Sequence, residues 1–313
     1  MKRNMKNPFD LSPDLLKIAK EELHEDPERR QKDIEYIREW LQKQPHITAR
    51  TDDWTILRFL RGCKFSLENT KKKLDMFYTC KNLTPEWFSN RDPLDPKMAE
   101  ILSLGEFLPL PGYDEKGRKV ILIRPDLHNT NTSSMDDKLK VQQIILDLMI
   151  EEDVQHSVIG VTVLLDFQEF NPNYALQLTP LIFKKIFTVW EEGYPMRLKA
   201  IHIIKSLPTF QVVLNLMKKF MKEKLKDRFH VHGNDMESLF SHIAQSNLPK
   251  EYGGANGNIK EITEYWHKKA NEKRNWLLED EKYKVDESKR PGKPRTSADL
   301  FDIEGSFRKL NID

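Results

Sequence analysis

The sequence predicts an α/β protein, with a helical N-terminal part followed by a mixed, mostly parallel sheet covered by helices. Three observations carry this. Up to about residue 90 apolar residues recur at helical spacing, as in Ile34, Ile37 and Leu41. From about 95 to 256, β-branched runs alternate with helical segments, the order that builds parallel sheets. Between the two lies SNRDPLDP (89–96), a break rich in proline and aspartate. The expected domains are 1–92, 93–257 and a C-terminal helix and tail, 258–313.

In chain order, Asp26 before Pro27 reads as a helix cap with proline at the first helical position. Thr51 or Asp52 caps DDWTILRFLRGC, and Ser66 opens SLENTKKKLDMFYTC. The turn DEKG leads into the strand KVILIR (119–124). SMDD (134–137) is a capping box before a helix running through Ile150. SVIGVTVLLDF (157–167) reads as a buried strand, LTPLIFKKIFTVWEEG (178–193) as a helix and KAIHIIK (199–205) as another strand. RFHVHG (228–233) is a short strand ending in glycine. ITEYWHKKANEKRNWLLEDEKY (262–283) reads as one helix, followed by the polar linker DESKRPGKPRTS.

The 313 residues carry a net charge of only +2, so a broad nucleic-acid footprint is not expected. MKRNMKNPFDLSPD has no apolar stretch after its basic residues, so no secretory signal is expected. The apolar run VIGVTVLL (158–165) is far shorter than the ~20 residues of a spanning helix. Cys63 and Cys80 make no disulfide framework. A cytoplasmic monomer is expected, with the sequons at Asn82 and Asn131 unused.

Signatures of catalysis are missing: GxGxxG, GxxxxGK[ST] and GxSxG do not occur, and GGANGN (253–258) reads as a turn. His230 and His232 share one face of a strand but fall short of the three or four ligands zinc takes, so no metal is expected. Asp166 and Glu169 read as structural carboxylates. No catalytic residue and no cofactor are expected.

The segment LPTFQVVLNLMKKFMKEKLKDR (207–228) is different. Phe210, Val213, Leu214, Met217, Phe220 and Met221 follow the i, i+3, i+4, i+7 rule, and Val212 and Leu216 widen the stripe. Residues 205–228 hold seven Lys/Arg against two Asp/Glu, a local net of +5. A core helix explains the first feature and a solvated charge run the second. Both in one short segment point to a membrane-facing element.

Several blocks together resemble the CRAL-TRIO family, most nearly its tocopherol- and retinaldehyde-binding members. They are ILRFLRGCKFSLENTKKKL (56–74), VLLDFQEF (163–170), QLTPLIFKKIF (177–187), YPMRLKAIHIIK (194–205), KEKLKDRFHVHG (222–233) and LPKEYGG (248–254). The resemblance implies an α/β lipid pocket closed by a mobile helix, here the segment around 207–221. It places Val161, Val163, Leu165, Ile186, Val189, Trp190 and Ile201 on the pocket wall and Phe210, Val213, Leu214 and Met217 on the lid. It places phosphoinositide contacts on Arg197, Lys199, Lys224 and Arg228. Cys63, with Lys64 beside it, stands where the family has a basic residue, and Lys64 joins the expected contacts. Gln142 and Leu146 replace pocket serines of the tocopherol-binding members, and Gln168–Glu169 replaces an acidic–glycine pair.

The implied function is to bind one tocopherol- or retinoid-like molecule and exchange it at phosphoinositide-containing anionic membranes, with reversible membrane association and no chemical step. The alternatives are a phosphoinositide-sensing or phospholipid-transfer module without isoprenoid cargo, and a lipid enzyme, for which no nucleophile–base pair is visible.

Overall fold

The computed structural model describes residues 9–125, 127, 132–168, 177–206, 214–215, 218–219, 221 and 223–301. The N-terminal helices are α1 (Pro13–Leu23), α2 (Arg30–Gln42), α3 (Asp53–Gly62) and α4 (Leu67–Leu83). Three of them start at side-chain caps: Ser12, Asp52 and Ser66 accept from Leu15 N, Thr55 N and Asn69 N. α2 starts later than expected. Asp26 instead forms a turn in which its carboxylate accepts from Glu28 N at 3.0 Å, and the helix begins at Arg30. Ile34 and Ile37 are fully buried and Leu41 nearly so, in one core with Ile56, Phe59 and Leu74.

The short α5 (Pro85–Phe88) and α6 (Pro96–Leu104) lead into the sheet, whose strands are β1 (Phe107–Tyr113), β2 (Lys119–Ile123), β3 (Val161–Asp166), β4 (Leu198–Ile204) and β5 (Phe229–Gly233). Strand order follows chain order; β1 runs antiparallel to β2 and the other pairs are parallel. Right-handed crossovers that advance one strand at a time lay their connecting segments on one face. These include α7 (Met135–Glu152), which opens with the expected capping box, and α9 (Pro180–Phe187).

Three expectations need correction. Residues 157–159 are not strand but the end of α8 (Val154–Ile159). Gly160, at φ +104°, then turns the chain into β3; a Cβ there would lie 2.5 Å from the Arg197 carbonyl oxygen. The helix after Pro180 changes at Thr188 to a π-helical turn reaching Gly193. The C-terminal helix is two helices. After α10 (Glu223–Lys226) and α11 (Met236–Phe240) come α12 (Ile259–Glu272) and α13 (Arg274–Asp280), which break at Lys273, and a short α14 (Ser297–Phe301). β1 escapes sequence reading because Pro109, Pro111 and Gly112 look like a turn; an edge strand tolerates them.

A buried ion network joins the parts. Asp280, at the end of α13, accepts from Lys81 Nζ at 2.6 Å, Arg50 Nε at 2.8 Å and Arg91 Nη1 at 3.3 Å. Arg91 Nη2 also reaches Asp147 of α7 at 2.5 Å, and Tyr194 donates to the same carboxylate at 2.7 Å.

Candidate lipid-binding site

Between the crossover helices and one face of the sheet lies a cavity of about 970 Å³. Strand alternation dictates part of its wall. Ile121 pairs with Val163 and Val163 with Ile201, so side chains of one parity face the same way on neighbouring strands. Val163, Leu165 and Ile201 accordingly line the cavity, with Ile123 of β2. Opposite them stand Met135, Leu139 and Gln142 of α7, and Phe183, Ile186 and Phe187 of α9 with Trp190 beyond it. The N-terminal helices close one side through Cys63, Lys64, Lys72, Lys73 and Met76. Gly62 permits that approach, since a Cβ on it would lie 2.5 Å from the Pro195 carbonyl oxygen.

The wall is not wholly apolar. The Trp190 indole nitrogen is buried and has no hydrogen-bond partner among the described residues. Gln142, only 7% exposed, adds a second polar point.

One end is basic. β3, β4 and β5 are parallel, so their N-terminal ends lie side by side, and Arg197, Lys199 and Arg228 sit at those ends. All three line the cavity, as do Lys64 and Lys224. Arg228 donates to the Leu198 carbonyl and Arg197 to the Val158 carbonyl. Glu22 of α1 partly balances the cluster, 3.7 Å from Lys199 and 4.0 Å from Arg197. Nε and Nη1 of Arg197 are buried and make no hydrogen bond among the described residues. Burial pushes Arg197 down to about 10, with Glu22 pulling back up. Burial and then Arg197 lower Lys199, and burial lowers Arg228. These cations crowd one another in a partly dry site, which is the electrostatic setting for an anion.

Of the residues expected on the wall, Val163, Leu165, Ile186, Trp190 and Ile201 line the cavity. Val161 and Val189 do not; both are buried in the surrounding core. Val161 has the right parity but sits across an irregularity: Val161 pairs with Leu198 while Thr162 pairs with Ala200, so β4 carries an extra residue there. Leu214, expected on the lid, is buried at 2% exposure and is not among the cavity-lining residues. Phe210, Val213 and Met217 lie outside the described residues.

Sequence reading missed the contribution of α4. Asn69, Lys72, Lys73 and Met76 recur every three to four residues and form its cavity-facing side. Lys73 donates to the carbonyls of Glu191 at 2.8 Å and Tyr194 at 3.1 Å, fixing the π-helical turn to that helix. Among the described residues no helix is long and apolar enough to cross a membrane.

Comparison with known proteins places this architecture. Residues 105–254 match the CRAL/TRIO domain and residues 26–98 the Pinta-like UBA domain. Alpha-tocopherol transfer protein-like of Homo sapiens is 32% identical over 254 residues, covering 81% of this chain and 73% of that protein. The Mus musculus protein of the same name is 33% identical over 250 residues, 80% and 72% of the two chains. Clavesin-1 of Rattus norvegicus is 31% identical over 245 residues, 78% and 69%. The crystal structure of Sfh5 shares the fold at 14% identity, with a TM-score of 0.50 over 81% of this chain and 92% of that one. The chain belongs to the CRAL/TRIO family of lipid-binding and lipid-transfer proteins.

Proposed function

We propose that this protein holds one hydrophobic molecule of tocopherol or retinoid type in the cavity and exchanges it at anionic, phosphoinositide-containing membranes without altering it. The observation that carries the reading is a single cavity with an apolar body and a basic end. Its ~970 Å³ is at the upper end of the size range for small-molecule sites. Val163, Leu165, Ile201 and Phe183 offer dispersion contacts to an isoprenoid chain, and Gln142 is a polar side chain on the same wall for its polar head. The cluster of Arg197, Lys199, Lys224 and Arg228 suits phosphate, for which arginine forks are the better shape. The relatives named for alpha-tocopherol transfer support the choice of cargo class. Unloading does not call for an acid–base pair; the apolar segment 207–221 read in the sequence is the part that would meet lipid.

A second reading has an observation of its own. Arg197, Lys199, Lys224 and Arg228 line the cavity itself, so the headgroup of a phospholipid cargo could lie among them. Transfer between vesicles separates the two. Fluorescent tocopherol should move from donor to acceptor vesicles faster when acceptors carry phosphoinositide. Transfer of labelled phosphoinositide with no transfer of tocopherol or retinaldehyde would favour the second reading and sink the first.

A further inference from the structure

The chain beyond α13 lies outside both matched regions, 26–98 and 105–254. Its sequence, DESKRPGKPRTS followed by ADLF, offers little apolar surface, and a polar linker of that kind does not order itself. Yet residues 284–301 are tied down at several points. Thr48 N donates to the Lys284 carbonyl at 3.0 Å, and Asp286 N donates to the His46 carbonyl at 2.8 Å. Between them Val285, 2% exposed, forms an antiparallel bridge with Ile47.

The next ties are ionic. Arg290 donates from Nη1 to Asp75 Oδ1 at 2.7 Å and from Nη2 to Thr79 Oγ1 at 2.8 Å. Arg295 Nη1 lies 2.7 Å from the other oxygen of Asp75. Glu287 holds both arginines in place: it accepts from Arg290 Nε at 2.6 Å and from Arg295 N at 2.9 Å. Thr296 then caps α14, its Oγ1 accepting from Asp299 N at 3.2 Å while Asp299 Oδ2 accepts from Thr296 N at 2.8 Å. α14 lies against α9, and its last residue, Phe301, is only 2% exposed.

These ties have a common position. Asp75 and Thr79 belong to α4, whose Asn69, Lys72, Lys73 and Met76 line the cavity. α9 lines it through Phe183, Ile186 and Phe187. Neither Asp75, Thr79 nor any residue of α14 is part of the lining, so the segment grips both walls from sides turned away from the cavity. The walls differ in how firmly they are packed. The strands are held by their ladders, and α7 is buried along most of its length. In α9 Phe183 is the one fully buried residue, and Leu181 is 42% exposed. Local opening draws on elements with few buried contacts, and α9 is that element here. From outside it is held by the Lys185–Glu86 ion pair at 2.5 Å and by α14.

We propose that residues 284–301 form a strap that holds α9 shut over the cavity. Arg290 and Arg295 fix it to α4, and Phe301 is the latch that must leave its seat before α9 can swing outward and let cargo pass. The gating role rests on the reading of the cavity as a lipid site; the hold on α9 does not.

The test uses the full chain, delipidated, as wild type, Phe301→Ala, Phe301→Leu and Arg295→Ala. Phe301 stands outside the main core and Arg295 is partly exposed, so these variants should fold. Hydrogen exchange over 180–187 and 294–301 is measured without cargo. Release of a fluorescent tocopherol into phosphatidylcholine vesicles is measured beside it. In Phe301→Ala, exchange over both segments and the release rate should rise on the order of tenfold, since a buried aromatic anchor is lost. Phe301→Leu should restore most of the effect, and Arg295→Ala should move both readouts in the same direction. Faster exchange over 294–301 with unchanged exchange over 180–187 would overturn the proposal, because the strap would then not hold α9. Unchanged exchange over both would overturn it too, since Phe301 would be no latch. Faster exchange over 180–187 with unchanged release would show that α9 is not the gate. A wild type that binds no tocopherol would sink the cargo reading, while the exchange measurement still decides the hold on α9.

Discussion

Substituting Val163 by Trp separates a cavity from a solid core. Val163 is only 3% exposed, so in an ordinary core an indole there would be overpacked, at a cost of about 1–3 kcal/mol. At roughly 2–4 °C per kcal/mol for a chain of this size class, the melting temperature of ligand-free protein would then fall by about 2–12 °C. In the structure, however, Val163 faces about 970 Å³ of free space, so the ligand-free variant should melt within about 2 °C of wild type. The cost should appear in loading instead. A cargo of ~30 non-hydrogen atoms binds with at most ~0.3 kcal/mol per atom, about 9 kcal/mol in all. Displacing a third of its contacts removes about 3 kcal/mol, a loss of over 100-fold in affinity. The assay is thermal melting of delipidated protein beside fluorescence binding of a tocopherol analogue. A fall of several degrees with unchanged binding would refute the reasoning and make Val163 a packing residue.

Other outcomes follow from the same structure. Arg228→Glu combined with Lys224→Glu reverses two charges at the basic end; flotation with phosphoinositide vesicles should drop sharply at 0.1 M salt, where the Debye length is ~10 Å. From the sequence alone, a face of four large apolar side chains (Phe210, Val213, Leu214 and Met217) costs on the order of 6–12 kcal/mol to hydrate, so hydrogen exchange over 207–221 should rise only when vesicles are added. Asp280→Asn leaves Lys81 and Arg91 buried without their shared charge and should destabilise by ~3–5 kcal/mol in urea melts. Burial pushes His156 down to about 4, below its usual 6.5. The unfolded chain therefore takes up this proton first, so the stability due to neutral His156 is complete above about pH 6.5 and is lost as pH falls towards about 4. A melting temperature that falls over that interval in wild type and less in a folded His156→Gln variant is the expected reading.

What could be read in advance depended on how local the signal was. β3 and β4 announce themselves through β-branched runs, and period-2 alternation alone puts Val163, Leu165 and Ile201 on one face. The same rule misplaces Val161, because the extra residue in β4 is a property of the strand pair. The boundary at Gly160 was hidden by apolar Val158 and Ile159, which serve a helix as well as a strand. Helix starts at Asp52, Ser66 and Ser134 were legible because a cap is a contact over three residues. The network around Asp280 was not, since Lys81 and Arg91 lie some 190 to 200 residues away in sequence. The packing of His230 and His232 with His202 and His242 was half legible: HVH shows two rings, but the cross-strand pairing that adds His202 and the turn that returns His242 are tertiary facts.

The most direct test of the central claim is mass spectrometry of what the cavity holds. Protein purified without detergent from cells supplied with tocopherol and retinoids should be measured intact under native conditions and again after organic extraction. The account predicts one apolar, isoprenoid-type molecule per chain, lost in Val163→Trp. A chain that carries nothing, or that carries only glycerophospholipid in both wild type and variant, would contradict it.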